Sequence, residues 1–502
     1  MKVSLDKKVD KMAKRKMPRC MSTQHPDNAT TPFFSSGQVM GGEDEVKEAF
    51  YVYSTLGCTE QMWDSEGKEV DNYVVKKLLS NYGYYFSRNK LGKDLNLTVR
   101  VPNPEVEKTE GKILLEALDA IPRNFDAASA FYGEEIAPIF EVILPMTTST
   151  VSLERIRNYY DKFVVGKAGE KLSPNDITLE KWIGRFGPRG INVIPLVEDL
   201  DSMENIGEIV GDFVHGKKQE YQRVFLARSD PALNYGSAAA VLIIKNALQQ
   251  LHAVEEKESI DIYPILGAGS APFRGNLRPD NIHSFLSAYP SMQTYSIQSA
   301  FKYDNEPAEV MKGIGELNET KKGKPVEVDE KRSSKIAAKI SKEYRAQLKV
   351  LAPLINTVAK FTPNRRKRKL HVGLFGYSRK TSGGVKLPRA IRFCCSLYSV
   401  GIPPEMLGLN ALNEKDLDYM RDVYAGFDSD LKDSLRYLNE ENLAKFPALH
   451  KKLKPVLGLV KYDVDAEHKR WTKHILRKVH EAHPGPIEEE ILEAAMRRKF
   501  LG

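Results

Sequence analysis

The 502-residue chain has only four cysteines, Cys20, Cys58, Cys394 and Cys395, with no CxxC pair and no zinc spacing. That argues against a disulfide framework. The adjacent Cys394 and Cys395, set between Phe393 and Leu397, read as buried core thiols. No stretch approaches the ~18 consecutive apolar residues that a membrane span requires. The N-terminus, MKVSLDKKVDKMAKRK, carries charge where a secretory signal would be apolar, so the expected location is cytoplasmic, with no membrane partner. No predicted strand is followed by G-x-G-x-x-G or a Walker pattern, and Gly267-Ala268-Gly269-Ser270 is only a fragment of one.

What is present is a globular composition, 41% hydrophobic and 28% charged, with a net charge of +8. The charge fits either nucleic-acid binding or a small anionic substrate. The basic run Arg365-Arg366-Lys367-Arg368-Lys369 has no interleaved aromatics and directly precedes a strand-like segment. It reads as a solvated strand entrance, and no nucleic-acid partner is expected.

The stretch His371–Phe393, HVGLFGYSRKTSGGVKLPRAIRF, organises the rest. Val372–Phe375 reads as a buried strand. A loop with Ser378, Arg379, Lys380 and Gly383-Gly384 follows, then a helix start carrying Arg389 and Arg392. Strand, basic glycine-containing loop and helix start together offer N–H groups and guanidinium forks to a phosphate or carboxylate. The competing reading is a solvated basic loop.

Five further apolar runs of strand length end in polar residues: Ile139–Leu144, Val193–Val197, Val224–Ala227, Tyr263–Leu266 and Tyr295–Gln298. Helical periodicity is expected at Leu200–Val214, Ser237–Ala253, Asn281–Leu286 and Lys331–Phe361, and helices fill the chain after Leu409. Gly42–Tyr85 reads as helical, interrupted by an acidic turn at Trp63–Gly67. The βαβα alternation predicts a parallel sheet covered by helices. A doubly wound open sheet would fit, but a (β/α)8 TIM barrel with additional helices is favoured, because its one face gathers every strand end. The expectation is a single barrel domain over residues 1–502, mostly helical from about residue 410.

The strand ends carry the chemistry. Glu198 and Asp230 end consecutive strands, and three roles compete for them: holding one Mg²⁺, a general acid/base pair, or structural carboxylates with Arg228 as a partner. His25, in the proline-punctuated Ser22–Asn28 segment, is a candidate catalytic histidine or a turn histidine bonded to Asp27. Arg274, on the glycine-bounded loop after the Tyr263–Leu266 strand, joins Arg379 and Arg389. Together they suit a reaction that builds negative charge on a phosphate and an enolate.

MSTQHPDN resembles the signature of the short, archaeal-type phosphoenolpyruvate carboxylases. The resemblance continues through FGPRGINVIPLVEDL, FLARSDPALNYGSAAA, ILGAGSAPFRGNLRP and FGYSRKTSGGVKLPRAIRF. It implies a barrel enzyme that carboxylates phosphoenolpyruvate with bicarbonate and uses Mg²⁺ (Mn²⁺ as a substitute); separately, the helical C-terminal third leads to the expectation of a homodimer or homotetramer. The resemblance implies Glu198 and Asp230 as metal ligands and His25, Arg274, Arg379 and Arg389 as catalytic. Arg228, Gly267, Gly269, Ser378 and Lys302 are expected against the substrate. Where the longer bacterial and plant enzymes have HGRGG, this chain has Leu266–Ser270, and Leu233 stands at the lysine of their SDSAKD motif. Arg228 or Lys302 is expected to replace part of the missing positive charge. The Asn-Thr-Gly ending of the longer enzymes is also absent, so their feedback inhibition by aspartate or malate is not expected here.

Overall fold

The computed structural model describes residues 16–24, 28–66, 71–366, 386–481 and 487–501. Eight parallel strands close a barrel: β1 (Cys20–Ser22), β2 (Glu60–Asp64), β3 (Asn96–Arg100), β4 (Glu141–Leu144), β5 (Asn192–Val197), β6 (Tyr221–Ala227), β7 (Asp261–Gly267) and β8 (Thr294–Ile297). Closure is made by β1 pairing with β8, Cys20 opposite Tyr295 and Ser22 opposite Ile297. Helices used below are α1 (Glu43–Tyr51), α2 (Ser229–Tyr235), α3 (Ser237–Glu258), α4 (Glu330–Val358), α5 (Ala390–Ser399) and α6 (Phe427–Leu435).

Successive side chains on a strand alternate between the two faces, and each strand here uses both. Outward residues such as Leu97, Val99, Val193, Val197, Val224, Leu226, Tyr295 and Ile297 pack with the helices in one large apolar core. The C-terminal helices share that core through Leu431, Leu453, Ile475 and Ile491. Inward residues form a separate plug of Met21, Met62, Ile143, Ile194, Leu196, Phe225, Ala227 and Ile265.

Below the plug, at the N-terminal end of the strands, the barrel interior is ionic. Arg223 of β6 donates from Nη1 and Nη2 to the two oxygens of Glu60 on β2, each at 2.7 Å, and from Nη1 to Glu141 of β4 at 2.6 Å. It also donates to Thr294 of β8 at 3.2 Å. Thr98 of β3 donates to Glu60, and Tyr221 donates to Glu141 at 3.0 Å. Burial raises the Glu141 carboxyl above its ordinary value although Arg223 works against it, and the Glu60 charge adds to the rise. Four alternate strands thus meet in one layer, as barrel interiors are built.

The expected barrel is present, and the runs at residues 139–144, 193–197, 224–227, 263–266 and 295–298 supply β4 to β8. The Gly42–Tyr85 reading needs correction. Helices occur at Glu43–Tyr51 and Val74–Asn81, but Glu60–Asp64 is β2. Glu60 and Asp64 point into the barrel on either side of Met62, where Arg223 and Arg100 receive them, so two of the strand's three inward positions are charged in the sequence. β1 and β3 were likewise unanticipated. The strand expected at Val372–Phe375 lies outside the described residues, and the barrel closes without it. Arg365 and Arg366 are buried, which corrects the solvated reading of that part of the basic run.

Replacing Arg223 with Met leaves Glu60 and Glu141 buried without their cation. Breaking a buried pair in this way costs about 3–5 kcal/mol. We expect Arg223→Met to lower the urea midpoint accordingly; a wild-type midpoint would contradict the bracing role.

Candidate active site

The C-terminal rim of the barrel collects the residues whose chemistry stands out. Counting along the strands, the inward positions there are Asp64, Arg100 and Glu198, with Gly267 and Gln298 across the mouth. Arg100 donates from Nε to Asp64 at 2.8 Å and pairs with Glu66 at 3.0 Å. Burial would weaken its charge, but Asp64 and Glu66, and then Glu198, hold its pKa well above the usual guanidinium value. Glu66 also takes Arg389, at 3.3 Å. Arg389 caps α5 and remains 39% exposed on its side chain. A chain of alternating charge therefore runs from β3 through β2 to the start of α5.

Across the mouth, Arg274 sits on a tight loop after β7. Its guanidinium donates to Ser229 Oγ at 3.0 Å and to Gln298. The loop bonds to itself, with Gly269 N donating to Arg274 O at 2.8 Å. A Cβ on Gly269 would lie 2.7 Å from Arg274 Cζ, so only glycine lets this guanidinium lie flat against the backbone. A Cβ on Gly267 would meet Phe225 of the plug at 2.9 Å. Arg228, fully buried beneath the loop, donates to Phe273 O at 3.1 Å and Ser237 Oγ at 3.0 Å.

Between β1 and β8 lies a second ion cluster. Lys302 donates to Ser22 Oγ, Thr23 O and Glu48 Oε1, at 3.0, 3.0 and 2.8 Å. Arg366 grips both oxygens of the same Glu48 at 2.8 and 2.9 Å, and Tyr303 adds a third donor at 2.6 Å. Burial alone would raise the Glu48 carboxyl, but Arg366 and Lys302 outweigh it and hold it below the ordinary value. Burial also lowers the Lys302 ammonium, with Glu48 opposing.

Neighbouring bonds fix the chain on either side of residues 25–27. Asp64 N donates to Gln24 at 3.0 Å, Arg365 donates to Ala29 O at 2.8 Å, and Ala29 N and Thr30 N donate to Asp304 at 2.9 and 2.7 Å. Burial pushes the Asp304 carboxyl up to about 6.

Of the residues singled out from sequence, Glu198, Asp230, Arg274, Gly267, Gly269, Arg228 and Lys302 are placed on or under this rim, and Arg389 joins it through Glu66. His25, Ser378 and Arg379 lie outside the described residues. Sequence reasoning missed Arg100. Its signal was the alternation of Leu97, Val99 and Val101 around Thr98 and Arg100. Asp64 and Glu66 were noticed only as an acidic turn.

Glu198 and Asp230 follow strands paired through Leu196 with Phe225 and Val197 with Leu226. Both are hard oxygen donors, which suits Mg²⁺ or Mn²⁺ bound through two carboxylates with the remaining positions left to water and substrate. Among the described residues there is no group of three or more metal-ligating side chains, and a two-carboxylate site needs none.

A sequence profile described as phosphoenolpyruvate carboxylase matches residues 17–502. The phosphoenolpyruvate carboxylase of Methanothermobacter thermautotrophicus is 51% identical over 487 residues, covering 97% of this chain and 100% of its own. Those of Methanospirillum hungatei and Pyrococcus abyssi are 52% and 48% identical over 487 and 486 residues, with the same coverage.

Glu48→Gln leaves two buried cations without their carboxylate. We expect a loss of about 3–5 kcal/mol near neutral pH. Because the Glu48 carboxyl is depressed in the folded state, its contribution is present above the ordinary carboxylate value and fades as the pH falls below it. The gap between variant and wild type should therefore shrink in urea unfolding at acid pH, and a constant gap would contradict this role.

Proposed function

The chain belongs to the phosphoenolpyruvate carboxylase family, and from that membership we propose that it joins phosphoenolpyruvate and bicarbonate into oxaloacetate and phosphate. The supporting observation is the single barrel rim that carries Glu198, Asp230 and Arg274 and is joined by Arg389 through Glu66. A barrel face of this kind lets residues from distant strands act on one substrate.

In this reading a bicarbonate oxygen attacks phosphorus, and the bond from phosphorus to the enol oxygen breaks. That releases the pyruvate enolate and carboxyphosphate. Carboxyphosphate splits into CO₂ and phosphate, and the enolate carbon captures the CO₂. Glu198 and Asp230 would hold Mg²⁺, or Mn²⁺ in its place; when bound, the ion supplies positive charge beside the oxygen on which negative charge builds. Arg379 and Arg389 hold the phosphate, with Ser378, Gly267 and Gly269 offering short-range contacts. Arg274 stabilises bicarbonate or carboxyphosphate. His25 assists the breakdown of carboxyphosphate and keeps protons from the enolate.

Arg228 and Lys302 belong to the proposal as buried cations acting from beneath. Their side chains bond to the Arg274 loop and to the segment entering His25, respectively. Assembly into a homodimer or homotetramer is part of the same proposal and is read by light scattering.

The test is oxaloacetate formation from phosphoenolpyruvate, coupled to malate dehydrogenase and NADH, with and without bicarbonate. Bicarbonate-dependent product that disappears with EDTA, and falls at least ~100-fold in folded Asp230→Asn, is the expected outcome. Phosphoenolpyruvate consumed without bicarbonate would instead indicate a different barrel lyase or a phosphotransferase. An unchanged KM for phosphoenolpyruvate in Arg228→Ala would remove Arg228 from the site.

A further inference from the structure

Two buried carboxyls hold the residues on either side of Arg274 in the chain. Glu405, in the turn Pro404–Met406, accepts from Phe273 N at 2.5 Å, one residue before the arginine. Asp430 of α6 accepts from Asn276 Nδ2 at 2.7 Å, two residues after it. Neither carboxyl has a lysine or arginine within ion-pair distance among the described residues. They are 5% and 8% exposed, and Arg274 itself is 2% exposed. Glu405 takes a second donor from Tyr398 of α5, and Asp430 takes one from Tyr424. The Oε2 atom of Glu405 has no hydrogen-bond partner among the described residues.

An uncompensated buried carboxylate is costly, and a neutral amide of the same shape would meet these donors at lower cost. What these two carboxyls have in common is the segment they hold. One fixes the backbone just before Arg274 and the other the side chain just after it, while Arg228 ties the Phe273 carbonyl.

We propose that Glu405 and Asp430 are positioning residues that clamp the Arg274 loop from both sides, so that the guanidinium is presented to the reacting anion only while both carboxyls are ionised. This rests on the reading of Arg274 given above. The clamp then has a built-in pH response. Burial pushes Glu405 up to about 7 and Asp430 up to about 6. As the pH falls through those values each carboxyl takes up a proton, and its grip on the loop weakens. The groups facing Glu405 are Tyr398 and Cys394 of α5, Tyr344 of α4, and Asp430. Those facing Asp430 are Tyr424, Arg228, Asp433, Tyr289 and, through Tyr289 and Tyr424, Lys245 of α3. Burial lowers the Lys245 ammonium to about 7, so it adds little positive charge to the cluster above neutrality.

The experiment measures kcat and KM of the full chain between pH 6 and 9 for wild type, Glu405→Gln and Asp430→Asn, with thermal unfolding alongside. We expect kcat at pH 8 to fall about tenfold or more in each variant, KM for phosphoenolpyruvate to stay within about twofold, and the decline of kcat below neutrality to flatten. A carboxyl raised in the folded state contributes stability that is lost as the pH rises through its folded value. Removing it should therefore not lower the melting temperature at pH 8. Wild-type kcat and pH profile in both variants would overturn the proposal, as would an activity loss that only follows a lowered melting temperature.

Combined with Arg274→Ala, either substitution should add no further loss, since residues acting through one group are non-additive. A fully additive loss would also overturn it. If Arg274→Ala alone keeps full kcat, the underlying reading of Arg274 fails, whatever the carboxyl variants do. Should Glu405→Gln not accumulate as folded protein, Tyr398→Phe carries the test. Loss of that donor should move the acid limb to higher pH, and an unmoved limb overturns the clamp.

Discussion

The Arg223 guanidinium is the fixture on which the barrel depends. It joins Glu60, Glu141 and Thr294, and so ties β2, β4 and β8 to β6 in one interior layer. A buried ion set of this kind adds little net stability over an apolar layer, but it permits few alternative registers, because a one-residue slip would bury carboxylates without their cation. Specification of strand order and register is therefore its principal contribution. With the register fixed, Asp64, Arg100 and Glu198 must emerge on the same rim.

The rim repeats this logic with different residues. Glu48 holds Lys302 and Arg366 together, and these two cations come from chain regions more than sixty residues apart. One carboxylate thereby sets the segment before His25 against the chain that leads toward Arg379. Glu66 does likewise for Arg100 and Arg389. Buried acids hold Arg100, Arg389, Lys302 and Arg366, while Ser229 and Gln298 hold Arg274, and these bonds keep the cations oriented before any substrate arrives. Pre-orientation of this sort is what electrostatic catalysis requires.

Much of this was legible from sequence. Runs of Val, Ile and Leu ending in Glu198, Arg228-Ser229-Asp230 or Gly267 announced β5, β6 and β7, since a strand covered on both faces must be apolar along its length. β1, β2 and β3 escaped notice for the opposite reason. β1 is only three residues long, and the inner faces of β2 and β3 carry Glu60, Asp64, Thr98 and Arg100, whose partners come from strands or loops elsewhere in the chain. A polar inward residue looks like a loop until its counter-ion is known. Arg228 and Lys302 were recognised as important cations. Their burial was invisible because it depends on the Arg274 loop and Glu48, which only the folded chain brings near.

The apolar plug stands between the two ionic layers, and the residues bonded to Arg223 below it are not those bonded to Arg100 above it. Met21, Met62, Ile143, Ile194, Phe225 and Ile265 place a low-dielectric septum between Arg223 below and Arg100 above. A low-dielectric layer screens charge less than water does, so the two sets are kept apart by distance and by having different bonding partners, and a substitution at the rim removes no hydrogen bond from the lower layer. A lineage could remodel its substrate chemistry, gaining or losing arginines at the mouth, while the ionic layer that dictates strand order stays untouched.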